Sequence, residues 1–379
     1  MFKLIDKVRR LEDQGRKIIH LEIGDPDFGT PANVIAAAKQ SMDHGETHYV
    51  SSWGMPEFVD AIQHTTKRSR GFFPGTDQIL VTPGANITVF YAIFCLSNSG
   101  QEILVPDPGF PTYLSAISMC RSVAVPYPLY EKNAFCVRAA DIEPLITDKT
   151  RLLIINSPQN PTGAITEPWA LKEIYDLAVK YDIYVYSDEI YARMVYGGQE
   201  FFSIASLDNC RERVILSNGF SKSFAMTGWR LGALVAPPEV AERMMVLLQT
   251  TSSCVAPFLQ RAGIEAITGD QSSVQKMMAE YKSRRDLLVE GLNQIPGITC
   301  SLPGGAFYAF PNISSFGLSS EAFADAMLEQ AEVAILPGSC FGVQGEGFVR
   351  LCYASSRDTI LNAVERLSAA CKNLRVKNI

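Results

Sequence analysis

Continuous apolar runs alternate with segments of helical periodicity through the middle of the chain. Runs of strand length without polar alternation are typical of strands that are buried on both faces. We predict such strands at residues 79–82, 102–106, 151–156, 183–187, 214–217 and 231–236, and helices between them at 85–96 and 168–181. Buried strands that alternate with helices predict an α/β fold with a mainly parallel sheet flanked by helices.

The last third of the chain has a different pattern. A helical periodicity covers residues 238–292, with a break near Ala256-Pro257 because proline cannot continue a helix. Short strands at 307–310 and 347–353 and helices at 320–331 and 358–373 then predict a smaller α+β domain. We therefore predict an N-terminal segment, residues 1–35, that packs with the small domain, a large domain at 36–285 and the small domain at 286–379.

Composition narrows the class of protein. The chain is 47% hydrophobic and 20% charged, as is usual for a globular protein, and its net charge of −6 argues against a nucleic-acid partner. No apolar run approaches the roughly twenty residues that span a membrane, and the N-terminus lacks the apolar region of a signal peptide. The nine cysteines and four histidines have no metal-site spacing. These features predict a cytoplasmic protein with reduced thiols and no bound metal.

The segment GFSKSFAMTGWRLG, residues 219–232, carries the most specific chemistry. Its one lysine, Lys222, lies among small and apolar residues, and desolvation favours the neutral amine that forms Schiff bases with aldehydes. Arg230 follows eight positions later and could hold a phosphate in its fork of N–H donors. An aldehyde combined with a phosphate indicates pyridoxal 5'-phosphate (PLP). The alternative is a surface loop that carries an ordinary lysine and arginine.

Other polar residues also follow predicted strands, where ligands of such sheets gather. Asp188 could pair with the pyridine nitrogen of PLP and keep it protonated, and Tyr191 could reach the phenolic oxygen of the same ring. Asn160 could donate to that oxygen and to a substrate carboxylate. The alternatives are a helix cap at Asp188, a core tyrosine, and a plain Asn-Pro turn at Asn160.

Two further positions complete the candidate site. Gly84, Ala85 and Asn86 lie where a predicted strand passes into a predicted helix, whose first N–H groups could bind a phosphate together with the Ser221 hydroxyl. Arg350 interrupts an apolar strand, and a buried charge is costly unless it is paired. A bidentate contact with an amino-acid carboxylate would satisfy it, and an internal salt bridge is the alternative.

The lysine segment, Asn-Pro-Thr-Gly at 160–163 and Asp-Glu-Ile-Tyr at 188–191 together resemble the motifs of class I/II aminotransferases of fold type I. The resemblance is greatest to the bacterial aspartate/aromatic branch and extends from about residue 23 to 353. It implies a seven-stranded large domain and PLP on Lys222 as an internal aldimine. By resemblance alone, Phe110 stacks on the PLP ring, Gly24 approaches the substrate, and Tyr49 reaches the phosphate of a neighbouring subunit, so that a homodimer completes the site.

The resemblance also implies a reaction. The amino group of an α-amino acid would pass to a 2-oxo acid by a ping-pong mechanism, with the α-carboxylate on Arg350 and Asn160 and with Lys222 as the base. A C–S lyase, a decarboxylase or a PLP-dependent oxidase could use the same residues, because fold and cofactor do not fix the reaction. Asn86 stands where dicarboxylate-specific members carry a lysine, which weakens the case for aspartate as the donor.

Overall fold

The secondary structure follows the predicted alternation in the computed structural model, which describes residues 2–198 and 200–377. The α-helices of this part of the chain are α1 (Phe2–Asp13), α2 (Ala32–Asp43), α3 (Pro56–Arg70), α4 (Asn86–Leu96), α5 (Thr112–Met119), α6 (Ala139–Ile142), α7 (Pro168–Lys180), α8 (Pro238–Ser252), α9 (Pro257–Thr268), α10 (Ser272–Asn293), α11 (Ser320–Ala331) and α12 (Arg357–Lys377). The strands are β1 (Ile19–His20), β2 (Ile79–Thr82), β3 (Glu102–Asp107), β4 (Val123–Pro128), β5 (Thr150–Asn156), β6 (Tyr184–Asp188), β7 (Val214–Gly219), β8 (Gly232–Val235), β9 (Tyr308–Ala309), β10 (Val333–Ala334), β11 (Leu336–Pro337) and β12 (Val349–Cys352).

Seven strands form one central sheet in the order β2-β8-β7-β6-β5-β3-β4. Strand β8 runs antiparallel to both of its neighbours, and all other neighbouring pairs are parallel. Parallel neighbours place their carboxyl ends at one edge of the sheet, which is where ligands bind in such folds. The predicted fold class, a mainly parallel seven-stranded sheet flanked by helices, is confirmed.

Strand β5 shows why its sequence is apolar at nearly every position. Successive side chains of a strand point to opposite faces of the sheet. Leu152 and Ile154 pack in the core under α4, α5 and α8, whereas Leu153 and Ile155 pack in the core under α2, α3 and α9. Both faces are therefore covered, and the continuous apolar run follows from that double burial.

Strand β4 was not predicted, and its position explains why. It lies at the edge of the sheet, paired only with β3, and Val123 is exposed. Pro126 and Pro128 lie within it. Proline has no N–H to donate to a neighbouring strand, and an edge strand tolerates this because one of its sides has no neighbour. A half-exposed strand with two prolines lacks the apolar run that identifies the other six.

The predicted helical region at 238–292 is interrupted twice. The expected break before Pro257 separates α8 from α9. A second break, which was not predicted, separates α9 from α10 at Gly269, and the Asp270 carboxylate accepts a hydrogen bond from the Ser272 N–H at 3.0 Å. Asp270 thus satisfies one of the free N–H groups at the start of α10, directly after Gly269 ends α9.

The C-terminal third has its own core. Strands β11, β12 and β9 form an antiparallel sheet, and β1 pairs in parallel with β10. Leu21 shares this core with Phe307, Met327 and Tyr353, so the N-terminal segment contacts the C-terminal region. Helices α2 and α10 run across the expected boundaries at 35/36 and 285/286, and the division into domains stays a prediction. Each helix within residues 2–198 and 200–377 is too short or too polar to span a lipid bilayer.

Candidate active site

A cavity of about 560 Å³ opens at the carboxyl ends of β5, β6 and β7, next to the start of α4. Its volume lies in the range of small-molecule and cofactor sites, roughly 300–1,000 Å³. Its wall consists of Glu22, Ile23, Gly24, Asp25, Ala85, Asn86, Phe110, Tyr113, Asn156, Asn160, Asp188, Ile190, Tyr191, Ser221, Lys222, Thr227, Arg230, Tyr308, Leu336 and Arg350. The fold thus brings every predicted site residue to this wall except Gly84 and Tyr49.

Lys222 projects into the cavity from the turn that follows β7. Its Nζ donates a hydrogen bond to the Gly24 carbonyl oxygen. Burial lowers the pKa of Lys222, and the positive charges of Arg350 and Arg230 act in the same direction, whereas Asp25 opposes them. A lowered pKa increases the neutral fraction of the amine, which is the form that can attack a carbonyl carbon or accept a proton.

Asp188 is the last residue of β6 and is held by two donors. The Tyr113 hydroxyl donates to its Oδ2 at 2.7 Å, and the Ile190 N–H donates to its Oδ1 at 3.3 Å. Burial raises the pKa of Asp188, and both hydrogen bonds lower it. A cation beside this carboxylate would lower its pKa further and favour the charged form. The charged carboxylate would in turn stabilise a protonated pyridine nitrogen.

A group of backbone and side-chain donors surrounds the start of α4. Within the part of the chain that the structure describes, no side chain caps this helix at Ala85, so its first N–H groups are available to an anion. Gly84 has φ 89°, and a Cβ there would lie 2.7 Å from Arg230 Nη2. Only glycine therefore permits the guanidinium to lie against this turn. Ser221 lies at the same wall, and Arg230 Nη1 donates to the Thr227 carbonyl oxygen at 3.0 Å.

Arg350 is buried in β12 at the opposite wall. Its Nη1 donates to Asn160 Oδ1 at 3.1 Å, and its Nη2 donates to the Glu22 carbonyl oxygen. The guanidinium lies between the rings of Tyr308 and Phe341, 4.4 and 5.0 Å from their centroids. Its Nε is buried without a hydrogen-bond partner, and within residues 2–198 and 200–377 no carboxylate pairs with it. The internal salt bridge considered from the sequence is therefore not what satisfies this charge.

Aromatic residues shape the space between these groups. The hydroxyls of Tyr191 and Tyr308 lie 2.8 Å apart, so Tyr191 is a wall residue with its hydroxyl engaged rather than only a core tyrosine. Phe110 contacts Tyr113 edge to face, with ring centroids 5.7 Å apart. A Cβ at Gly24 would collide with the Tyr308 hydroxyl, which explains the need for glycine in this close approach.

Tyr49 lies apart from the cavity of its own chain. Its side chain is 85% exposed. The role suggested by resemblance, at the phosphate site of a neighbouring subunit, stays a prediction.

Sequence reasoning assigned no role to several residues of the wall, among them Tyr113, Tyr308 and Asn156. Tyr113 gave no signal of its own in the sequence, yet its hydroxyl is the direct partner of Asp188. Tyr308 contacts Arg350 and Tyr191, and its position in a short apolar strand gave no signal of this contact. Asn156 accepts a hydrogen bond from the Asn160 N–H at 2.9 Å and so orients that loop, and its place as a polar residue at the end of a buried strand was a usable signal.

The donors and acceptors of this wall fit PLP. A buried amine of lowered pKa suits the aldehyde, and a buried carboxylate suits the pyridine nitrogen. The uncapped start of α4, Ser221 and the Arg230 guanidinium form a cradle for a phosphate, which a Cβ at Gly84 would partly fill. Arg350 remains available for a second anion at the other wall, such as a carboxylate.

Comparison with known proteins agrees with this chemistry. Residues 16–367 match the family model described as aminotransferase class I and II. The chain is 40% identical to the aromatic-amino-acid aminotransferase 2 of Thermococcus litoralis over 99% of this chain and 96% of that protein. It is 39% identical to the aspartate aminotransferase of Pyrococcus horikoshii over 97% of this chain and 93% of that protein.

Solved structures give the same result for the fold. The aromatic aminotransferase of Pyrococcus horikoshii superposes with a TM-score of 0.92 at 39% identity, covering 97% of this chain and 99% of that one. The aspartate aminotransferase of Rhizobium meliloti superposes with a TM-score of 0.95 at 32% identity, covering 98% and 95% of the two chains. The resemblance predicted from the lysine segment is confirmed, and the chain belongs to the class I and II aminotransferase family.

Proposed function

We propose that this aminotransferase transfers the amino group of an α-amino acid to a 2-oxo acid in a ping-pong sequence, with PLP held on Lys222. The observation that carries the proposal is the meeting of three groups in one cavity: the Lys222 amine, the Asp188 carboxylate and the Arg350 guanidinium. Lys222 follows β7, Asp188 ends β6 and Arg350 lies in β12, so the groups come from separate parts of the chain that the fold brings together.

The chain's residues divide the task of holding the cofactor. Lys222 Nζ would hold the aldehyde carbon, Asp188 the pyridine nitrogen, and Phe110 one face of the ring. The phosphate would lie against the start of α4, with Ser221 and Arg230 as donors. When bound, PLP supplies an electron sink for negative charge at the substrate Cα.

Substrate binding and proton transfer would then depend on three residues. Arg350 and Asn160 would orient the α-carboxylate, and the buried Nε of Arg350 would gain the hydrogen bond that it lacks. Lys222, as a neutral amine, would accept the Cα proton and return it, and its lowered pKa favours that neutral form. The 2-oxo acid product would leave before the second 2-oxo acid enters the same cavity, which gives ping-pong kinetics.

Steady-state kinetics with paired substrates test this proposal. Purified protein is supplied with PLP, a panel of L-amino acids and a 2-oxo acid, and both products are quantified. We expect turnover only when both substrates are present, with parallel lines in double-reciprocal plots. Release of ammonia or carbon dioxide from an amino acid without an added 2-oxo acid would contradict transamination and support a lyase, a decarboxylase or an oxidase.

The identity of the donor, the homodimer with shared sites and the cytoplasmic location stay predictions from the sequence. The relatives are named for different substrates. One is called an aromatic-amino-acid aminotransferase and another an aspartate aminotransferase. Asn86 lies in the cavity wall. The family resemblance implies a lysine at this position in dicarboxylate-specific members. A donor screen therefore has to include both aromatic and acidic amino acids.

A further inference from the structure

Residues 23–28, here called the 23–28 loop, lie beside the candidate active site, and the first three of them, Ile23, Gly24 and Asp25, line its cavity. The chain just before the loop is fixed by β12, since the Leu21 carbonyl accepts from the Cys352 N–H at 2.7 Å and the Glu22 carbonyl accepts from Arg350. Within the loop, the Gly24 carbonyl accepts from Lys222. The loop therefore touches the proposed base, and the residue before it touches the proposed carboxylate-binding arginine.

The far end of the loop is held by α10 through a buried cation. Arg284 Nη1 lies 2.8 Å from both carboxylate oxygens of Asp27. The guanidinium also lies 5.0 Å from the centroid of the Phe28 ring, and Phe28 meets the Tyr281 ring edge to face at 5.4 Å. The Arg284 side chain is only 8% exposed, so water and salt screen its attraction for Asp27 less than they would screen a surface pair.

Arg284 is itself held in place from the other side. Its Nε donates to Glu280 at 3.0 Å, and Glu280 also accepts from Arg357 at 2.9 Å and 2.5 Å. Arg357 begins α12, five residues after the end of the strand that carries Arg350. A series of contacts thus joins the 23–28 loop to the start of α12, through Asp27, Arg284, Glu280 and Arg357.

We propose that Arg284 is a positioning residue for the reaction, which fixes the 23–28 loop over the cavity before the amino acid binds. The proposal rests on the aminotransferase function proposed above, because it assigns the loop to the substrate side of that site. A loop that is already ordered loses less conformational entropy when substrate binds, so the contact improves binding without touching the reacting atoms. Arg284 lies on α10 and is absent from the cavity wall, so its effect would pass through Asp27 and Phe28.

The neighbouring residue Arg285 provides a matched control. It lies on the same helix, and its side chain is 6% exposed. Its Nη1 donates to the Pro303 carbonyl oxygen at 2.8 Å, and its guanidinium lies 4.9 Å from the centroid of the Tyr196 ring, so its contacts are away from the loop. Both arginines lose the same charge and volume on replacement by glutamine, but only one replacement frees the loop.

The experiment compares Arg284→Gln, Arg284→Lys and Arg285→Gln as PLP-loaded enzymes. For Arg284→Gln we expect the KM for the amino acid to rise about tenfold, with a smaller change in kcat. Arg284→Lys should recover part of the loss, because one cationic nitrogen can still reach Asp27. Hydrogen exchange followed by mass spectrometry should show faster exchange of residues 23–28 in Arg284→Gln, and wild-type rates there in Arg285→Gln.

Three results would overturn the proposal. One is an equal rise in KM for Arg284→Gln and Arg285→Gln, which would indicate a general packing role. Another is a fall in kcat at unchanged KM, because that result would indicate that a smaller fraction of the variant is folded. The third is unchanged exchange of residues 23–28 in Arg284→Gln. Hydrogen exchange needs no turnover, so it tests the order of the loop even if the wild-type protein fails to transaminate. The proposal for Arg284 and the proposed aminotransferase function can therefore fail separately.

Discussion

The charge of Asp188 is set by a balance that a single hydroxyl can change. Burial raises the pKa of this carboxyl, and the hydrogen bond from Tyr113 lowers it. The proposed role at a pyridine nitrogen requires the ionised carboxylate. Any change that removes a donor therefore moves the pKa of Asp188 upward and reduces its ionised fraction near neutral pH.

Tyr113→Phe tests this balance. Removing the donor should shift the acidic limb of the kcat/KM profile to higher pH, because more alkaline solution is then needed to ionise Asp188. We expect about a tenfold loss of kcat/KM near neutral pH, since a hydrogen bond to a charged group contributes about 1.5–3 kcal/mol. The measurement is kcat/KM as a function of pH.

Tyr127→Phe is the control, because its equally buried hydroxyl donates to the Ile154 carbonyl oxygen, away from Asp188. An acidic limb that stays in place in Tyr113→Phe would contradict this account.

The residues that sequence reasoning identified are those with strong local signals. Lys222 and Arg230 lie eight positions apart in one segment, and Asp188 and Asn160 come within four residues after predicted buried strands. Tyr113 and Tyr308 could not be found in this way. Tyr113 meets Asp188 across 75 positions of sequence, and Tyr308 meets Tyr191 across 117. Such pairs depend on how the strands are ordered, which apolar periodicity does not specify.

At the scale of elements, the turn between β2 and α4 depends on one glycine. Gly84→Ala would place a Cβ against Arg230 Nη2 at a backbone φ that disfavours side chains. We expect PLP to bind about tenfold more weakly, because the guanidinium is displaced from the proposed phosphate site. The dissociation constant of PLP, measured by equilibrium dialysis, checks this.

Gly29→Ala is the control for that substitution. A Cβ there has no heavy atom within 4 Å, and no left-handed φ requires glycine. Its PLP affinity should equal that of the wild type. Equal affinities for Gly84→Ala and the wild type would show that the turn does not shape the phosphate site.

Most elements could be predicted from the sequence because they are buried on two faces or amphipathic over several turns. Residues 79–82 were predicted as a strand and form β2, and 320–331 were predicted as a helix and form α11. Two of the failures have clear local causes. β4 is an edge strand that contains two prolines, and the α9–α10 break depends on a three-residue turn, 269–271, inside a continuous helical periodicity.

For the whole molecule, Lys222 represents a conflict between stability and function. The pKa of Lys222 is lowered by burial, so the unfolded chain binds more protons than the folded chain between the folded pKa and the ordinary lysine value of 10.5. The stability cost of burying this amine is therefore largest below the folded pKa and disappears as pH rises towards 10.5.

Lys222→Met should remove that cost. We expect the cofactor-free variant to be about 1 kcal/mol more stable than the wild type near neutral pH, because functional groups are often held at the expense of stability. The difference should shrink as pH rises towards the ordinary lysine pKa. Urea unfolding of both proteins across this pH range measures it. A difference that grows with pH would contradict the lowered pKa of Lys222.

The expected sharing of active sites between subunits can be tested with two inactive variants. If Tyr49 serves the phosphate site of a neighbouring subunit, Tyr49→Ala and Lys222→Ala fall together in one site of a mixed dimer and leave the other site intact. One site of each hybrid then receives both wild-type residues. Mixing the unfolded chains and refolding them together should restore part of the activity that each variant lacks. No recovery in dimers shown to be mixed would place Tyr49 outside the shared site.

The central claim is that the amine of Lys222 holds the aldehyde carbon of PLP. Borohydride reduction of the PLP-loaded protein, followed by proteolysis and mass spectrometry, tests it directly. The account predicts one pyridoxyl label, on the peptide that contains Lys222, and none in Lys222→Ala. A label on another lysine, or no label after saturation with PLP, would contradict it.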